Sequence, residues 1–376
     1  MKIGIDARFF GSKEKGLGVY VQKLIEHLEK NNQDENLHFY VFLRKERYQN
    51  YQPKNKNFHK VLADYQWYSW KEQLLFPSFL KKYQLDLMHF SHFNVPILYN
   101  GRIIITIHDL ILFHFPTFRN STLNRFYYYF KLLVYRVVIT IAIKKAEKII
   151  AISNFTKKDL IKTFKASENK IKVIYQGCNF FSEQKKKNSD DVLKKYGIIK
   201  PYLLYVGNAY PHKNLERLIK AFVFLRKTYP ELNLVLAGGD DYFYQRLKNK
   251  IKKEKQKNII LTGFVEEKDI PLVYRESKGV VFPSLYEGFG FPPLEALICN
   301  KAVACSNRTY MPEVLGDSVE YFDPENIDSI SMALIEVIEN KPKDLRKKIN
   351  KLKNKFDWNK TAKNTLKVYR SVTKKP

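Results

Sequence analysis

Cysteine is scarce in this sequence. Its 376 residues include three cysteines, an odd number, with no C-x-x-C spacing and no histidines matched to them. This argues against a disulfide framework and a zinc site, and it indicates a reducing compartment. Glycine and proline contribute only 15 residues each, while 45% of the chain is hydrophobic, so collagen-like and disordered classes are excluded.

Long apolar runs and targeting signals are also lacking. The longest apolar stretch, Leu132 to Ile143, is too short to span a bilayer and is interrupted by Arg136. The amino terminus, Met1 to Asp6, has the pattern of a strand and not that of a signal peptide. We therefore expect a cytoplasmic protein, either soluble or peripheral at the inner face of the cell membrane.

Acidic residues are too few to balance the basic ones. The chain has 66 Lys and Arg residues against 38 Asp and Glu, which gives a net charge of +28. A field of this sign attracts nucleic acid, anionic membranes or phosphate-bearing substrates, although codon bias towards lysine is an alternative origin. No recognised nucleic-acid motif is present, and no basic run lies beside interleaved aromatics, so no nucleic-acid partner is expected.

Short apolar strands alternate with amphipathic helices along the chain. Continuous apolar runs such as Ile103–Ile107 suit strands that are covered on both faces, and strands are likewise predicted at Tyr202–Val206 and Gly279–Phe282. A polar, lysine-rich stretch over 182–191 interrupts the alternation, which then restarts. This predicts an α/β fold with two Rossmann-like, doubly wound domains, 1–182 and 201–355, joined by a linker over 183–200. The domains would face a cleft, the default place for a site.

The segment Phe282–Ala296 is the densest in candidate site residues. A strand ends there, a turn with Gly288 and Gly290 follows, and paired prolines begin a helix. The glycines allow close backbone approach, and free N–H groups at the helix start predict an anion site. Glu287 and Glu295 would bind hydroxyl groups, as in a nucleotide-sugar site. The alternative is a helix start whose acidic residues are favoured by the helix dipole.

A second segment, Tyr205–Asn214, repeats the order of strand, glycine turn and helix. Asn214 is predicted to cap the helix, and Gly207 forms the turn. Lys213 would then lie at a strand end, where its charge can neutralise a departing diphosphate. The alternative is an exposed lysine in a turn.

In the first domain, the strand Ile103–Ile107 leads into His108 and Asp109. Such a pair can bind a sugar hydroxyl and hold a fixed tautomer, or Asp109 can simply satisfy a turn. Gly16 and Gly18, just before the first helix, allow close approach to a ligand, although they do not complete the dinucleotide fingerprint.

Several catalytic motifs are missing. No D-x-D sequence is present to bridge a diphosphate through a metal ion. The phosphate-binding motif of NTPases and the G-x-S-x-G motif of hydrolases are also absent.

Taken in order, these segments resemble family 4 of the GT-B glycosyltransferases, which use nucleotide-activated sugars. The resemblance runs nearly end to end, and its strongest part is the E-x7-E motif of Glu287 and Glu295. The other matching segments are Ile5–Arg8, Gly16–Gly18, Ile107–Leu110, Ala151–Phe155, Val173–Gly177, Val206–Asn214, Leu261–Phe264 and Met311–Val314.

The resemblance implies a role for each matching residue. Glu287 would contact hydroxyls of the donor sugar, Glu295 the ribose, and Lys213 the departing diphosphate. His108, with Asp109 beside it, would bind the transferring sugar. The other residues that would approach the donor or acceptor are Gly207, Asn208, His212, Gly263, Phe264, Gly288, Phe289, Gly290, Phe291, Gly16 and Gly18. Many members carry arginine near Asn208 or His212, so a second cation is missing here unless His212 is protonated.

The resemblance also implies transfer with retention of anomeric configuration and without a metal ion or other cofactor. The expected donor is GDP-mannose or else a UDP-sugar, and the acceptor is a glycan or a lipid-linked sugar in cell-surface polysaccharide or glycolipid synthesis. A same-fold enzyme of another reaction type and a basic nucleic-acid-binding protein are the alternatives. The C-terminal segment 356–376 would return to the first domain, as it generally does in this architecture.

An anionic membrane surface is a further expected partner. The segment from Arg125 to Arg136 mixes aromatic and basic residues, as helices that lie at a membrane interface do. An ordinary buried helix is the alternative interpretation.

Overall fold

The computed structural model describes residues 1–11, 15–116, 124–178, 188–340 and 344–373. Internal contacts divide the chain into two compact units. The first unit comprises Met1–His114, Leu123–Gly177 and Phe356–Pro376, and the second comprises Phe115–Thr122 and Cys178–Lys355. Each unit is built on its own parallel β-sheet.

The first unit contains a seven-stranded sheet whose paired strands are all parallel. Its strands are β1 (Lys2–Asp6), β2 (His38–Leu43), β3 (Phe58–Leu62), β4 (Leu87–Phe90), β5 (Ile103–Ile107), β6 (Lys148–Ala151) and β7 (Ile171–Val173). The helices before the second unit are α1 (Lys15–Asn31), α2 (Lys45–Tyr48), α3 (Trp70–Leu74), α4 (Phe76–Lys81), α5 (Ile111–His114), α6 (Arg125–Lys145) and α7 (Asn154–Phe164). The strand order is β3-β2-β1-β4-β5-β6-β7.

Every residue of β4 and β5 is buried, because helices and loops cover both faces of this sheet. The order of the strands reverses between β1 and β4, so the carboxyl ends of these two strands lie side by side. The carboxyl end of β5, which precedes His108, is next to that of β4. The predicted site residue His108 therefore lies beside the switch point of the first sheet.

The second unit contains a six-stranded parallel sheet with the order β10-β9-β8-β11-β12-β13. Its strands are β8 (Tyr202–Val206), β9 (Asn233–Ala237), β10 (Ile259–Gly263), β11 (Gly279–Phe282), β12 (Val303–Ser306) and β13 (Glu320–Phe322). Its helices are α8 (Ser189–Lys195), α9 (Leu215–Leu225), α10 (Tyr242–Lys253), α11 (Ile270–Glu276), α12 (Phe291–Ile298), α13 (Met311–Leu315), α14 (Ile327–Glu339) and α15 (Leu345–Lys355). Here the order reverses between β8 and β11.

The last helix, α16 (Trp358–Thr373), belongs to the first unit, where it packs along α1. Trp358 packs against Gly177 at the start of the helix. Further along, the Tyr369 hydroxyl is 2.7 Å from Nδ1 of the buried His89, whose Nε2 is 2.8 Å from the Thr106 hydroxyl. Burial lowers the pKa of His89 to about 3, so this network contains a neutral imidazole.

The predicted strands at Ile103–Ile107, Tyr202–Val206 and Gly279–Phe282 have the predicted bounds. The structure corrects two other predictions. Helix α1 begins at Lys15 and not at Gly18, and α8 begins inside the stretch interpreted as a linker. Residues 183–187 of that linker lie outside the described residues.

Helix α6 changes the interpretation of the apolar region around residue 135. Among the described residues, one segment, Phe126–Lys145, is long and apolar enough, by length and composition alone, to cross a membrane. The apolar stretch Leu132–Ile143 is indeed short, but the prediction left out the aromatic residues in the turns before it. Only 33% of the most apolar window is buried, so this helix is unlike the fully covered helix of a soluble core.

Candidate functional site

The candidate site in the second unit lies at the carboxyl ends of β8 and β11, where the strand order reverses. Doubly wound sheets bind their ligands at such switch points. β8 leads into a turn at Gly207 and the short 3-10 helix Pro211–Lys213, and β11 leads into the loop that carries Glu287. The structure thus brings together Lys213 and Glu287, two of the three residues predicted to be catalytic.

The turn after β8 needs glycine at position 207. The Gly207 N–H donates to the carbonyl of Ala237 at 2.9 Å, and the Tyr244 hydroxyl donates to the carbonyl of Gly207 at 2.8 Å. A Cβ atom at this position would lie 2.6 Å from the hydroxyl oxygen of Tyr205. Because Tyr205 is buried, only glycine allows the turn to pass so close to it.

Asn214 connects the two strand-end loops. Its carboxamide donates to the carbonyls of Pro283 at 3.1 Å and Pro324 at 2.7 Å. The Leu285 N–H donates to the carbonyl of His212 at 2.8 Å and adds a second link. The prediction that Asn214 caps α9 with its side chain is wrong, because the side chain makes no capping hydrogen bond. It holds the two loops together instead.

Lys213 and Glu287 form an ion pair. Their side chains are only 14% and 16% exposed, and the ammonium group donates to Oε1 of the carboxylate. The Ser284 hydroxyl donates to the same oxygen at 2.9 Å. An ammonium group has three hydrogens, so Lys213 retains donors for a second anion while it is paired with Glu287.

The turn before α12 is tightly packed, and it has fewer donors than predicted. A Cβ atom at Gly290 would lie 2.3 Å from the hydroxyl oxygen of the buried Tyr310. The sequence predicts an anion site from the free N–H groups at the start of this helix. Pro292 and Pro293 occupy its first turn and have no N–H. The amides of Gly290 and Phe291 are the donors that remain.

The other residues predicted to contact the donor follow the ends of β8, β10 and β11. Gly263 ends β10 with a φ of 70°, and its carbonyl accepts the N–H of Gly238 at 3.1 Å. Phe264 beside it is exposed. The remaining members of the predicted set are Asn208, whose side chain accepts the Tyr210 N–H at 3.4 Å, the buried Gly288, and Phe289, which stacks on Tyr310.

Glu295 is a carboxyl group with an unusual pKa. It lies in α12, and the hydroxyl of Tyr274 donates to its Oε2 at 3.3 Å. Burial raises the pKa of Glu295 to about 7, the hydrogen bond from Tyr274 opposes this shift, and the charge of Glu267 adds to it. Near neutral pH the carboxyl group is therefore about half protonated, so it can donate a hydrogen bond to a hydroxyl as well as accept one.

His212 does not supply the missing second cation. Burial, and then the neighbouring charge of Lys213, lower its pKa to about 4, although Glu287 opposes the shift. Its ring stacks on Tyr210 with 5.8 Å between the centroids, and its buried Nδ1 has no hydrogen-bond partner among the residues that the structure describes. The condition under which His212 would act as a second cation, protonation of its ring, is therefore not met near neutral pH. At the carboxyl ends of β8 and β11, Lys213 and backbone amides are then the groups available to an anion.

In the first unit, His108 has a fixed tautomer, but its partner is a backbone carbonyl. Its Nε2–H donates to the carbonyl of Ser91 at 3.0 Å, and the Ser91 hydroxyl donates to the carbonyl of Asp6 at 2.7 Å. The Tyr20 ring packs edge-on against the imidazole at 4.7 Å. Burial lowers the pKa of His108 to about 4. Nδ1 is therefore left as a hydrogen-bond acceptor for a hydroxyl group.

Asp109, Gly16 and Gly18 have structural positions that the sequence only partly indicated. The Asp109 carboxylate accepts the N–H of Ile111 at 2.9 Å, which agrees with the alternative interpretation as a turn residue. Gly16 and Gly18 lie in the first turn of α1 and not before it. No described atom lies within 4 Å of a Cβ placed on Gly16, so packing does not require glycine there.

Ser284, Tyr274 and Tyr310 were not predicted as site residues, although each contacts one. Ser284 precedes Glu287 by three residues, a spacing that a loop turn brings together, so the sequence held a usable signal. Tyr274 and Tyr310 come from other elements and could be found only from the fold. Within the described ranges, no group of three or more His, Cys, Asp or Glu side chains is arranged to hold a metal ion.

Comparison with known families decides the identity of the chain. The sequence model described as Glycosyl transferases group 1 matches residues 185–356, and the one described as Glycosyltransferase Family 4 matches residues 15–180. The chain belongs to these glycosyltransferases. The resemblance found in the sequence is therefore confirmed, and the enzyme takes a sugar donor and an acceptor.

Two relatives are bacterial mannosyltransferases. The chain is 29% identical to O-antigen chain mannosyltransferase B of Escherichia coli over 271 residues. This alignment covers 69% of this chain and 67% of the relative. It is 27% identical over 296 residues to O-antigen chain mannosyltransferase RfbU of Salmonella typhimurium, with 78% and 75% covered. These matches extend over most of each protein.

The fold of this glycosyltransferase is also found in solved structures. Sucrose-phosphate synthase from Thermosynechococcus elongatus superposes with a TM-score of 0.76 at 18% identity, and the alignment covers 99% of both chains. The expected α/β class and GT-B architecture are thereby confirmed.

Proposed function

We propose that this glycosyltransferase is a retaining, metal-independent mannosyltransferase of family 4. It moves mannose from a nucleotide-sugar, with GDP-mannose as the first choice and UDP-sugars as the second, to a glycan or lipid-linked acceptor in cell-surface polysaccharide synthesis. The names of its two bacterial relatives support the choice of mannose. The observation that carries the proposal is the shielded ion pair of Lys213 and Glu287 at the switch point of the second sheet.

In the proposed reaction, a bond forms between the acceptor oxygen and the anomeric carbon while the bond from that carbon to the diphosphate breaks. The electron pair of the broken bond stays on the diphosphate, and the acceptor proton passes to a diphosphate oxygen on the same face of the sugar. The ammonium group of Lys213 stabilises the negative charge that develops there. Glu287 orients that ammonium group and accepts a hydrogen bond from a hydroxyl of the sugar.

Glu295 fits a role at the ribose of the nucleotide. Its half-protonated state near pH 7 suits a vicinal diol, which both donates and accepts hydrogen bonds. The exposed Phe264, at the end of β10, offers a ring face for the base. His108, with Nδ1 as an acceptor, is proposed to bind the transferring sugar.

Donor hydrolysis is the direct test of this function. The purified protein is incubated with GDP-mannose, UDP-glucose or UDP-galactose, with and without EDTA, and free nucleotide is measured. We expect slow release of GDP from GDP-mannose that EDTA does not reduce, and near-complete loss of release in Glu287→Ala. Release from none of the donors would contradict the function. Release that stops with EDTA and returns with a divalent cation would contradict metal independence.

The acceptor is proposed to be met at the inner face of the cell membrane. Helix α6 exposes seven large apolar side chains, among them Phe126, Phe130 and Leu133, and Phe126 is 88% exposed. The helix contains Lys131 and Arg136 and no acidic residue. An exposed aromatic surface with cations suits the interface of an anionic bilayer.

Vesicle flotation tests the membrane proposal. The wild-type protein should float with phosphatidylglycerol-containing vesicles at low salt, and the double variant Phe126→Ala/Phe130→Ala should lose most of this binding. Phe224→Ala is the matched control, because Phe224 is an exposed aromatic residue of the second unit. Equal flotation of all three proteins, or of none, would contradict the assignment of α6 as the membrane contact.

A further inference from the structure

The segment that follows β3 presents aromatic side chains at the surface of the first unit. Trp67, Tyr68 and Trp70 lie within four residues, and Tyr68 and Trp70 are 53% and 64% exposed. Exposed aromatic rings with a polar group are common in binding sites and uncommon on surfaces that bind no partner. The exposed rings of Tyr68 and Trp70 need an explanation beyond packing of the core.

Trp67 anchors this segment. Its ring stacks on Phe9, with 4.5 Å between centroids and an interplanar angle of 27°. The guanidinium carbon of Arg44 lies 4.8 Å from the centroid of the Trp67 ring. The indole is therefore covered by neighbours and fixes the position of the backbone next to Tyr68.

A buried ionic cluster also fixes the segment. Arg8 is fully buried and pairs with Asp6 at 2.8 Å and with Glu72 at 2.6 Å. The carboxylate of Glu72 accepts the N–H of Tyr68 at 2.7 Å and two hydrogen bonds from the Asn94 carboxamide. Charges with so many partners are held in a single arrangement. The segment is thus held in place by this buried network of ion pairs and hydrogen bonds.

Tyr68 has a strained backbone. Its φ is 60°, in the left-handed region that bulky side chains rarely adopt. Such a conformation persists only where the surroundings enforce it, and it is found preferentially at binding and catalytic sites. Here the hydrogen bond from the Tyr68 N–H to the carboxylate of Glu72 holds the backbone in this conformation.

The ring of Tyr68 lies beside an imidazole without a partner. The ring centroids of Tyr68 and His92 are 6.4 Å apart. Within the part of the chain that the structure describes, Nδ1 of His92 is buried and has no hydrogen-bond partner. Burial lowers the pKa of His92 to about 3, so the ring is neutral and able to bond a hydroxyl. Ser91, the residue before it, accepts the hydrogen bond from His108.

We propose that Tyr68 and Trp70 form the surface on which a pyranose ring of the acceptor stacks, and that His92 bonds one of its hydroxyl groups. A pyranose has an apolar C–H face and a polar rim, which matches an aromatic surface beside a neutral imidazole. His92 follows the end of β4 by two residues, so it and the neighbouring Tyr68 ring lie at the switch point of the first sheet. The inference rests on the proposed function, since only a transferase needs an acceptor.

A binding measurement tests the inference apart from catalysis. The sequence has three tryptophans, and the exposed Trp70 is a reporter of this surface. Titration of the wild-type protein with α-mannobioses of different linkage should change the tryptophan emission saturably for at least one of them. Tyr68→Ala should weaken that binding roughly tenfold, and Tyr68→Phe should retain it. An unchanged dissociation constant in Tyr68→Ala, or no response of the wild-type protein to any of the sugars, would overturn the proposal.

Kinetics then separate a sugar contact from a structural role. Tyr68→Ala and His92→Ala should raise the acceptor KM roughly tenfold and leave the donor KM and acceptor-free donor hydrolysis unchanged. Tyr68→Gly relieves the backbone strain yet removes the ring, so it should behave like Tyr68→Ala.

Tyr242→Ala is the matched control, because Tyr242 is also 53% exposed but lies in the second unit. A parallel loss of donor hydrolysis in the Tyr68 variants would show a structural role and contradict the proposal. A wild-type protein that hydrolyses no donor would instead count against the proposed function, and the emission titration would still decide the sugar site.

Discussion

The ammonium group of Lys213 is hydrogen-bonded to the carboxylate of Glu287 although 74 residues separate them in the chain. The two residues follow adjacent parallel strands, β8 and β11, whose carboxyl ends lie at the same edge of the sheet. Neither side chain is more than 16% exposed. The ion pair therefore forms because of the sheet topology, and its energetic contribution can be tested by replacing Lys213 or Glu287.

Replacement of Lys213 should affect the rate of donor hydrolysis more than the free energy of unfolding. In Lys213→Ala, kcat/KM for donor hydrolysis should fall by about 10²–10³-fold, since one preorganised charge at a departing anion contributes that much. The double variant Lys213→Ala/Glu287→Ala should be less impaired than the product of the single effects, because the residues are coupled. Lys220→Ala, an exposed lysine of α9, is the control and should keep wild-type activity. Wild-type rates in Lys213→Ala would remove it from the site.

Protonation of Glu295 should appear in the pH dependence of stability. Because burial raises its pKa from 4.5 to about 7, the folded protein favours the protonated carboxyl group. Stability is thus highest below pH 4.5 as far as this group is concerned, and it falls as the pH rises towards 7, by at most about 3 kcal/mol. Glu295→Gln has no such charge to bury, so the Tm of this variant relative to wild type should rise between pH 5 and pH 8.

The exposed Glu231, whose charge does not contribute to the pKa shift of Glu295, provides the control for that experiment. In Glu231→Gln, the Tm difference from wild type should stay nearly constant between pH 5 and pH 8. A Tm difference for Glu295→Gln that is equally flat would contradict the raised pKa of Glu295.

Gly290 should not tolerate a methyl group. In Gly290→Ala, the new Cβ would lie 2.3 Å from the Tyr310 hydroxyl oxygen, and the buried tyrosine ring has little room to move. Overpacking of this kind lowers the free energy of unfolding by about 1–3 kcal/mol. The double variant Gly290→Ala/Tyr310→Phe lacks the colliding oxygen and should recover part of the loss in urea unfolding. No recovery would show that the collision is not the cause.

Asn214 should be replaceable by glycine at lower cost than by alanine. Both variants lose the hydrogen bonds to the carbonyls of Pro283 and Pro324, which lowers the free energy of unfolding by about 1–3 kcal/mol. Alanine adds the strain of a φ of 62°, about 1 kcal/mol, which glycine does not have. Urea unfolding of the two variants should show this difference. Equal stabilities would mean that the left-handed conformation does not survive in the alanine variant.

Much of this fold was readable from the sequence because the strands are local. Runs such as Ile103–Ile107 and Tyr202–Val206 are continuous apolar segments, and their ends coincide with the predicted ends. β3 was missed because its sequence, Phe58–Leu62, mixes polar and apolar residues, as an edge strand with one partner permits. The motif residues were found because they follow strand ends, where local pattern and function coincide.

What the sequence could not supply are properties set by packing. The neutral state of His212 depends on burial that comes from distant elements. The raised pKa of Glu295 requires the fold that surrounds it, including Tyr274 from α11. The side chain of Asn214 donates to two carbonyls that are distant in sequence, those of Pro283 and Pro324. These hydrogen bonds replace the cap of α9 that its position in the sequence predicted.

The membership of α16 in the first unit has a consequence for synthesis. The second unit is almost continuous in sequence, ending at Lys355, whereas the first unit needs Phe356–Pro376 to cover α1 and to supply Tyr369 to His89. A ribosome therefore releases every residue of the second unit before the first unit is complete. The amino-terminal half of the chain must therefore remain partly uncovered until the second unit and α16 have been translated.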